Sequence, residues 1–161
     1  MELIRGLVNL RSHGLGRQRG CVATIGNFDG VHLGHQAVLG QLAEKAAALN
    51  LPAVVITFEP HPQEYFARDA QGGASVAGGR MPGATATVPP RLTRFREKMQ
   101  ALRRYSVDKV LCLHFNAALA GTAAQEFIRT VLVDGLDVRY LVVGDDFRFG
   151  KQRQGDFAML K

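Results

Sequence analysis

The chain has 161 residues, 47% of them hydrophobic and 21% charged, which is the size and balance of one ordinary globular domain able to bury its own core. No apolar run approaches the roughly 20 residues that span a bilayer. The N-terminal Met1-Glu2-Leu3-Ile4-Arg5-Gly6 lacks a signal-like stretch, so the sequence reads as cytoplasmic with no membrane partner. Lys and Arg total 20 against 14 Asp and Glu, a formal charge of +6 that suits an anionic ligand. The basic residues are dispersed rather than gathered in an aromatic-studded run, which disfavours nucleic acid as a partner.

In chain order, Cys21 to Gly26 is a β-branched apolar run that reads as a buried strand. After a glycine-containing loop, residues from about His35 to Asn50 read as a helix, with Val38, Leu39, Leu42, Ala46 and Leu49 at three- and four-residue spacing. Pro52 to Phe58 is a second strand, ended by Glu59-Pro60-His61-Pro62. Gln71 to Thr87, rich in Gly, Ala and Ser, reads as a mobile loop. A basic helix is expected over about Arg91 to Tyr105, with Leu92, Phe95, Met99 and Leu102 on its apolar face. Lys109 to Leu113 is a third strand. Thr122 is expected to cap a helix that turns Phe127, Val131 and Leu132 inward. Val138 to Val143 is a fourth strand, ending in Gly144-Asp145-Asp146.

Strands alternate with helices, and the strands are continuously apolar, as expected when both faces are covered. The fold class is therefore α/β, a Rossmann-like doubly wound parallel sheet, in one domain over residues 1–161. Ligands of such sheets bind beyond the carboxyl ends of the strands. Four junctions lie there: Gly26 to His35, Phe58 to Pro62, His114 to Asn116, and Gly144 to Gly150. The two cysteines, Cys21 and Cys112, sit inside strands and read as buried reduced thiols. Neither has a Cys or His at the spacing of a zinc site, so no metal ligands are assigned.

Gly26-Asn27-Phe28-Asp29-Gly30-Val31-His32-Leu33-Gly34-His35 follows a strand and leads into a helix. It lacks the endings of a Walker loop and the spacing of a dinucleotide fingerprint. It offers two histidines three apart at a helix start, where free N–H groups favour anions, and Gly34 permits close backbone approach. A surface pair of histidines is the plainer alternative. His61 reads either as a ligand contact or as a solvated loop histidine. Phe147 and Phe149 read either as core or as stacking groups, and Asp145 and Asp146 either as ligand contacts or as caps of the next turn.

The ten-residue string resembles the signature of the nucleotidylyltransferase superfamily. Thr57 to Pro62, Pro90-Arg91-Leu92-Thr93, Phe115-Asn116 with Glu126-Phe127-Ile128, and Val143 to Gly150 with Arg153 and Gly155-Asp156 narrow the resemblance to the prokaryotic bifunctional riboflavin kinase/FAD synthetases. The resemblance implies the FMN adenylyltransferase domain, in which FMN and ATP, with Mg2+, give FAD and pyrophosphate. It implies ATP binding by Gly26, Asn27, Phe28, Asp29, His32, Gly34 and His35, and catalytic roles for His32, His35 and Asn116. It implies flavin binding by Phe58, Pro60, Pro62, Asp146 and Arg148. The family's later Ser/Thr-rich ATP segment and its C-terminal riboflavin kinase barrel have no counterpart before Lys161. The expectation is therefore a truncated transferase domain that cannot phosphorylate riboflavin, with FAD synthesis belonging to the full-length parent. No feature of the sequence assigns an oligomeric state.

Overall fold

A computed structural model describes residues 1–10, 20–71, 91–144 and 147–160. The four expected strands form within it: β2 (Cys21–Ile25), β3 (Ala53–Glu59), β4 (Lys109–His114) and β5 (Val138–Val142). A fifth, β1 (Glu2–Arg5), was not foreseen. Its four residues are too few for a pattern, and it forms because Leu3 and Ile4 pair with Val110 and Leu111 along the free edge of β4.

The five strands of the sheet all pair in parallel, in the order β1-β4-β3-β2-β5. Beginning at β2, the chain adds β3 and β4 on one side and then crosses back to place β5 on the other. The order thus reverses between β2 and β5, the switch point at which such sheets open a crevice. Alternation along each strand builds two cores. Ala23, Ile25, Val54, Ile56 and Leu111 face Phe127, Val131 and Leu132. Val22, Val55 and Val110 face Leu39, Leu42 and Ala46 of α1 (Leu33–Leu49), together with Met99 and Leu102 of α3 (Phe95–Leu102). The doubly wound reading is thereby met. The edge strands β1 and β5 depart from continuous burial, with Glu2 and Arg5 exposed on β1 and Tyr140 44% exposed on β5.

The helices differ more from expectation. α1 begins at Leu33 with His32 as its N-cap, and it stops, as expected, at Asn50, which adopts the left-handed C-cap conformation. α2 (Pro62–Gln71) begins at the strand-ending prolines, where no helix was expected, since proline at the first helical position needs no N–H donor. α3 is shorter than expected: Arg94 N–H donates to Glu97 Oε2 at 2.7 Å, which starts the helix after Leu92 and leaves Leu92 71% exposed. A 3-10 turn then runs from Arg103 to Tyr105. Thr122 is not the expected cap. Its hydroxyl donates back to Ala118 O at 2.8 Å, at the end of a short helix α4 (Ala117–Ala120). α5 (Ala124–Phe127) follows and continues as a π-helical turn, Ile128–Val133, with Phe127, Val131 and Leu132 buried as expected.

Cys21 and Cys112 are free and buried. Burial pushes the Cys21 thiol up to about 12, so it stays protonated and inert. The expected loop from Gln71 to Thr87 lies almost wholly outside the described residues. No helix among the described residues is long and apolar enough to cross a membrane.

Candidate active site

A cavity of about 780 Å³ opens beyond the carboxyl ends of the strands, at the switch point. Ile25 at the end of β2 and Gly26 after it, Phe58 of β3, Phe115 after β4 and Gly144 after β5 all line it. Its chemistry divides into three walls.

The first wall is the loop into α1, contributing Asn27, Phe28, His32, Gly34 and His35. His32 caps α1: its Nδ1 accepts the His35 N–H at 3.4 Å. In the neutral ring that bond places the proton on Nε2, which is left as a donor. The two imidazoles stack at 3.8 Å between centroids, and His35 leans on Phe28 at 5.0 Å. Gly34 leaves room for this stack, because a Cβ there would lie 3.3 Å from the His32 ring and press it to shift. His35 Nδ1 is buried and has no hydrogen-bond partner among the described residues. Burial and the neighbouring His32 lower the His35 pKa to about 4, so the ring is neutral near pH 7.

The second wall is aromatic. Phe58, Phe66 and Phe115 meet edge to face, with centroids 5.9 Å apart for Phe58–Phe115 and 5.7 Å for Phe66–Phe115, and Tyr65 supports Phe115 at 5.4 Å. Pro62 and Gln63 at the start of α2 complete this side. Pro60 does not line the cavity. Phe66 and Gln63 escape a sequence reading that stops the element at Pro62. The available signal was Pro62 itself, which as a first helical residue turns Phe66, four positions on, to its own side.

The third wall comes from Phe147, Arg148, Phe149, Gly150, Gln152 and Arg153. Phe149 is both core and lining: it is buried, stacks on Phe147 at 5.5 Å and leans on Phe127 at 5.9 Å. Arg148 pairs with Asp156 at 3.2 Å. Asp145 and Asp146 lie outside the described residues. Asn116 stands at the end of β4 beside Phe115 but is not among the lining residues. Its Oδ1 accepts the Leu119 N–H at 3.0 Å and caps α4.

A smaller polar pocket of about 280 Å³ adjoins the first and shares Asn27, His32, His35 and Gln63 with it. Arg91 sits here between two carboxylates, hydrogen-bonded to Glu64 and, at 2.6 Å, to Glu59. The Arg91 bond holds the Glu64 carboxyl below the usual carboxylate range. His61 is buried rather than solvated, and its Nε2 is 3.5 Å from Nζ of Lys98, which is 1% exposed. Burial lowers the pKa of both groups. Of the two readings open for His61, burial removes the solvated one; Arg91 and Lys98 carry no role in the sequence analysis, since a lone Arg or Lys in a basic segment gives no spacing signal.

Residues 15–161 match the family model described as FAD synthetase. Curated relatives named bifunctional riboflavin kinase/FMN adenylyltransferase align along the whole chain, at 47% identity in Pseudomonas fluorescens and in Escherichia coli strain K12, and at 46% in Haemophilus influenzae. The chain spans 45% of the length of the first two and 46% of the third. Among solved structures, one described as a macrolide-efflux protein from Streptococcus pneumoniae superposes with a TM-score of 0.71 at 24% identity, covering 96% of this chain and 44% of its own, a likeness of fold alone. With a parallel sheet that opens at its switch point onto paired histidines, and a family match over nearly its whole length, this chain belongs to the FAD synthetase family.

Proposed function

We propose that this chain is the FMN adenylyltransferase portion of a bifunctional riboflavin kinase/FAD synthetase, transferring AMP from ATP to FMN to give FAD and pyrophosphate. The observation that carries the reading is one cavity with two unlike ends. A helix N-terminus flanked by His32 and His35 faces an aromatic wall of Phe58, Phe66 and Phe115 across the same space.

In the reaction, a phosphate oxygen of FMN attacks the α-phosphorus of ATP. The bond from that phosphorus to the bridging oxygen breaks, and pyrophosphate leaves with the electron pair. Such a transfer needs alignment and charge stabilisation rather than a side-chain nucleophile. Gly26, Asn27, Phe28, Asp29 and Gly34 build the ATP loop. His32, through Nε2–H, and the first-turn amides of α1 donate to the phosphate oxygens on which charge gathers. His35 fixes the His32 ring and adds a donor of its own. Asn116, with Oδ1 committed to its helix, has its amide N–H groups to offer the reacting phosphates. Phe58 and Pro62, with Arg148 across the cavity, take the flavin, and Pro60 and Asp146 are assigned to the same flavin site. Mg2+ enters bound to ATP as part of the substrate. The described residues hold no cluster of three His, Cys, Asp or Glu side chains to retain it alone, and Mg2+ characteristically relies on substrate phosphates and water for most of its ligands.

The test is an acceptor panel. Protein and MgATP are incubated in turn with FMN, phosphopantetheine, nicotinamide mononucleotide and glycerol phosphate while pyrophosphate release is followed. Release with FMN alone is expected; release with another acceptor and not with FMN overturns the proposal.

A further inference from the structure

The loop between β2 and α1 holds two non-glycine residues in the left-handed region, Phe28 at φ 50° and Val31 at φ 39°. Such backbone is uncommon for a bulky side chain and an outlier for a β-branched one. It persists only where the surroundings over-determine it. Burial accounts for part of this, since both side chains are anchored in the core beside α1. Asp29 and Gly30, between them, are not buried. They are held from outside, by residues 63 and 64 positions further along the chain.

The bonds form a closed set. Asp29 Oδ1 accepts from Thr93 N–H and from the Thr93 hydroxyl, both at 2.8 Å, and Oδ2 accepts from Leu92 N–H at 2.9 Å. The same Thr93 oxygen accepts the Gly30 N–H at 3.2 Å. Leu92 packs on Gly30 so closely that a Cβ there would meet Leu92 Cδ1 at 2.9 Å, and Gly30 itself sits at φ 70°. Arg91, next in line, is anchored separately by Glu59 and Glu64. The Thr93 hydroxyl is therefore the group that joins both Asp29 and Gly30 to a segment fixed at its other end. Burial works to raise the Asp29 carboxyl, but the donors from Leu92 and Thr93 outweigh it and hold the pKa below the usual value. An ionised carboxylate with three donors on it is a bracing group rather than a partner for phosphate.

We propose that Thr93 is a positioning residue for nucleotide binding: through its hydroxyl, with Asp29, it latches residues 91–94 to the loop and holds that loop in the strained form that presents His32 and the start of α1 to a nucleoside triphosphate. The inference rests on the reading of this loop as the ATP-phosphate site. It makes Asp29 part of the brace and removes it from direct contact with ATP.

The test compares Thr93→Val, which keeps the branched shape and the backbone donor but loses the hydroxyl, with Thr93→Ser, which restores it. Calorimetric titration with MgATP and, separately, with FMN is combined with amide exchange at Gly30 by NMR. Thr93→Val is expected to weaken ATP about tenfold, the scale of two lost hydrogen bonds. It should leave FMN within about twofold and speed Gly30 exchange about fivefold or more, and Thr93→Ser should restore both. Unchanged ATP affinity, unchanged Gly30 exchange, equal losses for ATP and FMN, or a Ser variant as weak as Val would each overturn the latch. Wild-type protein that binds no ATP would contradict the functional reading instead, and Gly30 exchange would then decide the latch alone.

Discussion

His35 is the residue whose state the structure defines most sharply. It is pressed between Phe28 and His32, and its pKa of about 4 lies well below the ordinary histidine value. The folded form therefore favours the neutral ring, and the unfolded chain binds more protons between about pH 6.5 and 4. This residue's contribution to stability is unimpaired above that window and falls as pH drops through it. A polyphosphate beside the ring acts in the opposite direction, favouring the cation. In an NMR titration, the His35 ring of the free protein is expected to titrate near 4 and to move upward on binding ATP, with proton uptake on binding. A ring that titrates near 6.5 in the free protein, or that ATP leaves unmoved, contradicts the site as described. The histidine pair was legible in the sequence because three-residue spacing across a helix start is a local pattern. The Asp29–Thr93 bonds were not, because they join parts of the chain brought together only by the fold.

Elements show the same division. β2, β3, β4 and α1 were legible because long apolar runs and a sustained helical period leave one solution each. α2 and α4 were missed because what starts them is a single residue, Pro62 and Asn116 respectively. That omission mattered for the site, since α2 carries Phe66 into the aromatic wall. Phe66 is 53% exposed, too much for a core residue, and it completes an edge-to-face group with Phe115 and Tyr65. Phe66→Ala is expected to weaken FMN binding roughly three- to tenfold, in line with aromatic contacts of about 0.5–1.5 kcal/mol. ATP affinity and thermal stability should change little. Flavin fluorescence quenching measures the first and a melting curve the second. An unchanged FMN affinity would remove α2 from the flavin side.

For the whole molecule, the order β1-β4-β3-β2-β5 explains why the two ends of the cavity meet at all. The reversal between β2 and β5 parts the loops that follow them, and the cavity fills the gap. Alternating β and α segments announced a parallel sheet, so the fold class was readable. The strand order was not, since no local pattern says on which side of β2 the last strand will pair. The two cores on either face then fix the loops rigidly enough for His32, Phe58 and Phe115 to share one space. In the proposed reaction, FMN is joined to an adenylyl group within this space. This reaction is tested most directly by incubating the protein with MgATP and FMN and quantifying FAD and pyrophosphate together. FAD and pyrophosphate rising in equal amounts, and only when both substrates are present, is the predicted result. Protein that binds ATP and FMN yet forms no FAD, or that releases pyrophosphate independently of FMN, would contradict it.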